Sequence, residues 1–155
     1  MQFINYFSAS IISFSGLLIG ILLAKIAPEE QKPLKKKFSL LRKIFLFFIF
    51  LFLIFYYYNN ALYFVTLIGY FIFLLYVELK IDDLLKKSMI IYIMLGILFF
   101  LSLENLNLLA IESSLILLYG LPASSLIYNH WGKNIFKVLS YNIGFIIIAN
   151  LLFFI

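Results

Sequence analysis

The chain has 155 residues, 65% hydrophobic, 20% aromatic and only 12% charged. A soluble domain is usually about half apolar, and one of this size buries too little surface to hide the excess from water. Lipid is therefore the solvent that suits the chain, as a single polytopic domain over 1–155. The formal charge of +5 does not imply nucleic-acid binding, because the basic residues stand beside apolar runs, where membrane topology and anionic headgroups account for them. The absence of Cys excludes disulfides, thiolate metal sites and cysteine nucleophiles.

Hydropathy predicts six spans, at about 3–27, 40–58, 61–77, 88–103, 108–127 and 135–155. The first lacks a basic n-region, and its apolar run outlasts a typical signal-peptide core, so it reads as a span rather than a cleaved leader. Pro28 ends it. Residues 28–43, with Pro28, Pro33 and a basic end, read as the longest loop. The apolar run 44–58 rises only roughly 22 Å as a helix, so the second span begins earlier, with Arg42 and Lys43 reaching to the headgroups. Tyr56, Tyr57 and Tyr58 fall where an aromatic belt belongs.

Asn59-Asn60 reads as a tight turn and Glu104-Asn105-Leu106-Asn107 as a second. Residues 78–87 form a loop in which Asp82 and Asp83, between Lys80 and Lys86, read as a solvated salt-bridge cluster. Continuous apolar runs of this length exclude a barrel, which needs short alternating strands. All 12 Lys and Arg residues fall just inside span ends or in alternate loops, and short basic loops mark the cytoplasmic side. The expected fold is an all-α membrane protein. It is a bundle of six transmembrane helices in the cell membrane, with basic loops cytoplasmic and both termini outside. The abundance of Ile, Phe, Lys and Asn fits an AT-rich prokaryotic genome.

Glu112 stands out as the one ionisable residue clearly inside a span, four to five residues in from the outer end of the fifth. A carboxylate there is costly and usually faces the bundle or a water-filled cavity, where it can bind a proton or cation. An alternative is a glutamate that reaches the outer interface. The same span carries Ser113, Ser114, Ser124 and Ser125, and Pro122 with Gly120 marks an expected kink or break. Interrupted spans often hold transporter sites, because freed carbonyls and half-helix ends can hold ions; a kinked packing helix is the plainer reading.

In the first span Ala9, Ser13, Gly16, Gly20 and Ala24 share one helical face, and Gly16 and Gly20 form a GxxxG pair. Such faces pack closely against another helix, within the chain or in a homodimer. The sixth span brings Ser140, Asn142, Gly144 and Asn150. Spans 1, 5 and 6 are thus expected inside, with the Phe-rich spans 2 and 3 toward lipid. His130, the sole histidine, and Trp131, the sole tryptophan, read as inner-interface residues. No Ser/His pair, carboxylate pair, HExxH or phosphate-cradling glycine loop is present, so neither an enzyme, a cofactor nor a metal site is expected.

Residues 112–155 resemble the end of a repeat in the auxin efflux carrier and bile-acid transporter group. The shared pattern is an apolar half-helix with Leu121-Pro122-Ala123-Ser124-Ser125, an aromatic–glycine turn at Trp131-Gly132, and a final span. That group has two inverted repeats, whereas this chain has no second Pro-broken span. The leading expectation is a small transporter or channel-like protein, with a solute or ion held around Glu112, Ser113, Ser114, Ser124, Ser125 and Asn142. The alternative is a non-catalytic accessory or assembly subunit of a larger membrane complex.

Overall fold

Backbone groups in an apolar solvent must bond within their own segment, which favours helices. In the computed structural model, which describes residues 2–130 and 134–155 apart from the side chains of Glu30, Lys32, Asn129 and His130, every regular element is helical. The helices are α1 (Phe3–Ile26), α2 (Pro28–Tyr56), α3 (Ala61–Lys80), α4 (Leu84–Leu101), α5 (Leu106–His130), α6 (Ile135–Asn142) and α7 (Gly144–Leu152). A 3-10 turn, Ser102–Glu104, extends α4. Six stretches are long and apolar enough to cross a membrane, with α6 and α7 together making the sixth.

The turns are built by short polar side chains. Asn60 accepts from the Tyr63 amide at 3.4 Å, Asp83 from Leu85 at 2.9 Å, Asn105 from Asn107 at 2.9 Å, and Asn134 from Lys137 at 3.1 Å. Each satisfies an amide that the first helical turn leaves without a partner. Asp83 is therefore a helix cap rather than a member of a solvated charge cluster. The Trp131-Gly132 turn, and the interfacial placement expected for His130 and Trp131, lie outside the described residues and side chains.

Three expectations are corrected. Residues 28–43 are not a loop: α2 runs 29 residues from Pro28, and Ala27 alone separates it from α1. Pro28 costs little in the first turn, where its missing N–H would be unpaired anyway. Pro33 is tolerated farther in because the start of α2 is tied down, with the Ser125 hydroxyl of α5 donating to Gln31 Oε1. Next, α5 runs unbroken through Gly120 and Pro122. The sixth span divides at Ile143, which keeps helical dihedral angles and accepts from the Ile147 amide at 3.1 Å. Pro122 is held in a helix whose Gly120 lies against the backbone of Gly16 and Leu17 in α1, and such neighbours compensate for a lost bond. Finally, α4 belongs to the interior: half of its span is buried, against 22% of the sixth. Its apolar residues surround the helix, as expected of a buried one.

The tightest seam joins α1 to α5. A Cβ added at Gly16 would stand 2.1 Å from the Leu117 carbonyl oxygen, and one at Gly20 would stand 2.3 Å from that of Leu121. Since position 16 meets 117 and position 20 meets 121, the two helices run parallel. Helix α2 runs antiparallel to α5: Gln31 meets Ser125 at one end, and Tyr57 meets the turn before α5 at the other. Tyr6, Phe99 and Phe145 fill the space between α1, α4 and α7, with ring centroids 5.0 Å apart for Tyr6–Phe99 and 5.6 Å for Phe99–Phe145. Both termini reach the same end of the bundle, where Phe3 lies 4.8 Å from Phe154. Large side chains such as Leu22, Phe55, Leu62, Ile72 and Leu151 point outward, as a lipid-facing surface requires.

Glycines inside this seam and one outside it predict opposite outcomes. Gly16→Leu or Gly20→Leu should destabilise the protein by about 1–3 kcal/mol or more through overpacking against backbone. Gly69→Ala in α3, where an added Cβ meets nothing within 4 Å, should be neutral or stabilise by up to about 1 kcal/mol. Thermal unfolding followed by size-exclusion chromatography in detergent separates the two.

Candidate functional site

Glu112 lies on the inward face of α5 with Ile116, Tyr119 and Ala123, all of them fully buried. The face is turned inward because the neighbouring stripe, through Leu117 and Gly120, is pressed against α1. Neither Glu112 oxygen has a hydrogen-bond partner. Glu112 is thus an interior group and does not reach the outer interface.

The serines do not gather around it. Ser113 donates to the Leu109 carbonyl at 2.8 Å, and Ser114, which is exposed, donates to the Ala110 carbonyl at 2.8 Å. Ser124 donates to the Gly120 carbonyl at 2.8 Å. Each hydroxyl is taken up by its own helix. Ser124 and Ser125 also lie about 18 Å along the helix from Glu112. Asn142 sits elsewhere, between α4 and α6: its Oδ1 accepts from Ser88 Oγ at 2.7 Å and its Nδ2 donates to the Val138 carbonyl at 2.7 Å. Asn142 pins the sixth span to α4.

A second set of charges is also buried, and sequence reasoning placed it in loops or at headgroups. Arg42 on α2 is 3% exposed, and its Nη2 donates to Glu78 Oε1 on α3. Lys87 on α4, 8% exposed, donates through Nζ to the Glu78 backbone carbonyl at 2.7 Å. This centre ties three helices together. One turn beyond Lys87 and Ser88 on α4 lies Tyr92, whose ring centroid is 5.7 Å from that of Tyr119 on α5. Both phenols are fully buried, and neither hydroxyl has a partner.

The signal for this centre was present in the sequence. Arg42, Leu46, Ile49, Phe50, Leu53 and Tyr57 are all buried and fall on one face of α2 at helical spacing. Glu78 likewise continues the buried stripe of Leu67 and Leu74, and Lys87 that of Ile91 and Leu95.

At the other end of the bundle Tyr57 donates to the Leu101 carbonyl at 2.6 Å and to Glu104 Oε2 at 3.2 Å. Burial, and then the Glu104 charge, hold its phenol above the ordinary tyrosine range, so it remains a donor. This contact fixes α2 to the turn that launches α5.

Comparison with protein-family models, characterised proteins and solved structures gives no match for the chain. The likeness of residues 112–155 to the auxin and bile-acid carriers is thus a local pattern without further support.

The buried ion pair makes its own prediction. Arg42→Met should destabilise by about 3–5 kcal/mol, because it removes the donor bonded to Glu78 Oε1 and leaves both buried carboxylate oxygens without a hydrogen bond. Arg42→Met combined with Glu78→Leu should recover most of that loss. Unfolding midpoints of the two single variants and the double variant form the cycle that measures it.

Proposed function

We propose that this chain is a small multi-pass membrane transporter or channel-like protein in which Glu112 takes up a proton or a cation. The observation that carries this reading is the complete burial of Glu112 with no protein donor on either oxygen. An ionised carboxylate in such surroundings is prohibitively costly, whereas a proton or bound cation removes the cost. A group that must gain or lose a small positive species to stay buried is suited to coupling that species to movement of the helices.

Alternation of six spans gathers Lys25, Lys35, Lys36, Lys37, Lys80, Lys86 and Lys137 toward one end of the bundle, and this end is cytoplasmic under the charge rule. The termini then lie outside. Gly16 and Gly20 are occupied by α5, so a homodimer would form through another face. The accessory-subunit alternative draws on a different observation. An apolar groove of about 240 Å³ lies beside α3 and α4, lined by Leu62, Tyr63, Leu67, Tyr70, Ile97 and Leu98, and it offers a partner helix a seat.

Topology is testable directly, since the chain has no cysteine of its own. Cysteines introduced at Asn59 and Lys36, both exposed, should label from opposite faces of intact cells; labelling of both from one face ends this topology. For function, proteoliposomes holding the wild type should dissipate an imposed proton or sodium gradient. Glu112→Gln, eluting as a folded protein, should fall to the rate of protein-free vesicles. Dissipation at the wild-type rate by Glu112→Gln would remove Glu112 from the mechanism and shift weight to the accessory-subunit reading.

A further inference from the structure

The Arg42–Glu78 centre is unbalanced in a specific way. Arg42 and Lys87 bring two positive charges against the single carboxylate of Glu78, all three at least nine-tenths buried. Arg42 uses only Nη2: its Nε and Nη1 have no partner, and neither has Glu78 Oε2. The Tyr92 and Tyr119 hydroxyls, one helical turn farther along α4 and on the facing α5, are also without partners. The unmet demand is therefore mostly for an acceptor, around one uncompensated positive charge. Buried polar groups are normally satisfied, and a local cluster of exceptions requires an explanation.

A water molecule could bond to one or two of these donors, but it would leave the charge unchanged. A monovalent oxyanion meets both demands, because a guanidinium edge matches two oxygens of a carboxylate or phosphate and the phenols can donate to the same group. In the present arrangement none of the unpartnered atoms is accessible, so the centre is closed. Its thinnest wall is α3, whose span is only 22% buried and which packs loosely enough against α4 to leave an apolar groove along its first half.

We propose that this centre is an oxyanion-binding site between α2, α3, α4 and α5. Glu78 holds the Arg42 guanidinium while the site is closed, and a carboxylate or phosphate group takes the place of the Glu78 carboxylate when α3 moves aside. Arg42 is the anchor, Tyr92 and Tyr119 are further donors, and Glu78 is a built-in competitor. The site stands independently of Glu112, which lies on another stretch of α5, and its test needs no transport.

The competitor role gives the site an unusual signature, in which removing a buried charge strengthens binding. Purified full-length protein in detergent is titrated with sodium acetate and, separately, sodium phosphate, at constant ionic strength set by sodium chloride. Thermal unfolding is the readout. The wild type should be stabilised saturably. Glu78→Gln should respond at about tenfold lower concentration, and Tyr119→Phe, which keeps the ring and loses only the hydroxyl, should need about tenfold more. Arg42→Gln/Glu78→Gln, which removes both members of the ion pair and keeps the Lys87 bond to the backbone carbonyl of residue 78, should fold and not respond.

The same variants in nanodiscs of phosphatidylcholine, with and without phosphatidylglycerol, identify the source. A response to acetate or phosphate marks a free solute, and an Arg42-dependent response to phosphatidylglycerol alone marks a lipid headgroup; either supports the site. No saturable response to any of the three in wild type and Glu78→Gln would overturn it. So would responses unchanged in Tyr119→Phe and in the double variant, leaving the centre a structural ion pair.

Discussion

The close approach of α1 to α5 is the contact on which the remaining architecture depends. Without a hydrophobic force to drive helices together inside lipid, association rests on van der Waals packing and hydrogen bonds, and both improve as backbones approach. Gly16 and Gly20 let the Leu117 and Leu121 carbonyls come to within a distance that any side chain would block, and Gly120 returns the contact against Gly16 and Leu17. Once that stripe of α5 faces α1, the rotation of α5 is set. Glu112, Ile116 and Tyr119 then turn toward the interior, and α2 lies antiparallel along the other flank, tied at both ends by Gln31 and Tyr57.

Polar side chains in this bundle fall into two groups. Those of the first bond across the bundle and hold helices together. Tyr6 bonds to the Ala149 carbonyl at 3.0 Å, Asn150 to Ser10 at 3.0 Å, and Ser88 to Asn142, and the serines of α5 bond within the bundle. Those of the second are buried with capacity to spare: Glu112, the Arg42–Glu78 pair, Tyr92 and Tyr119. The apolar surroundings make each unused donor or acceptor expensive. Apart from Asn150 Oδ1, the unpartnered atoms fall at Glu112 and around the Arg42–Glu78 pair, which sets these two places apart from ordinary packing.

The spans themselves were legible because hydropathy over about twenty residues is a strong signal. The small-residue face of α1 was legible because the period of the helix places Ala9, Ser13, Gly16, Gly20 and Ala24 on one side. The burial of Arg42 was not read, because Arg42 and Lys43 together at the head of an apolar run look like an interfacial pair. Only the phase of the helix tells them apart, with Arg42 on the stripe of Leu46 and Ile49 while Lys43 is exposed. The helix over 28–43 was hidden by Pro33 and the lysines, since the contact that stabilises its start comes from Ser125, far away in sequence. Pro122 misled in the opposite direction: proline weakens a helix locally, but α5, packed against α1 at Gly120, runs through it.

The seam between α1 and α5 has a consequence for how the chain is made. Residues 16 and 117 are separated by three intervening helices, and at about 5–20 residues per second the ribosome takes on the order of 5–20 s to synthesise the stretch between them. Throughout that interval the most closely packing face of α1 has no partner. A nascent chain that stops after α4 displays two bare glycines to the bilayer and to whatever membrane-embedded chaperone or protease inspects it. The first helix to enter the membrane is thus among the last to reach its final neighbour, and its glycine face reports whether the fifth has arrived.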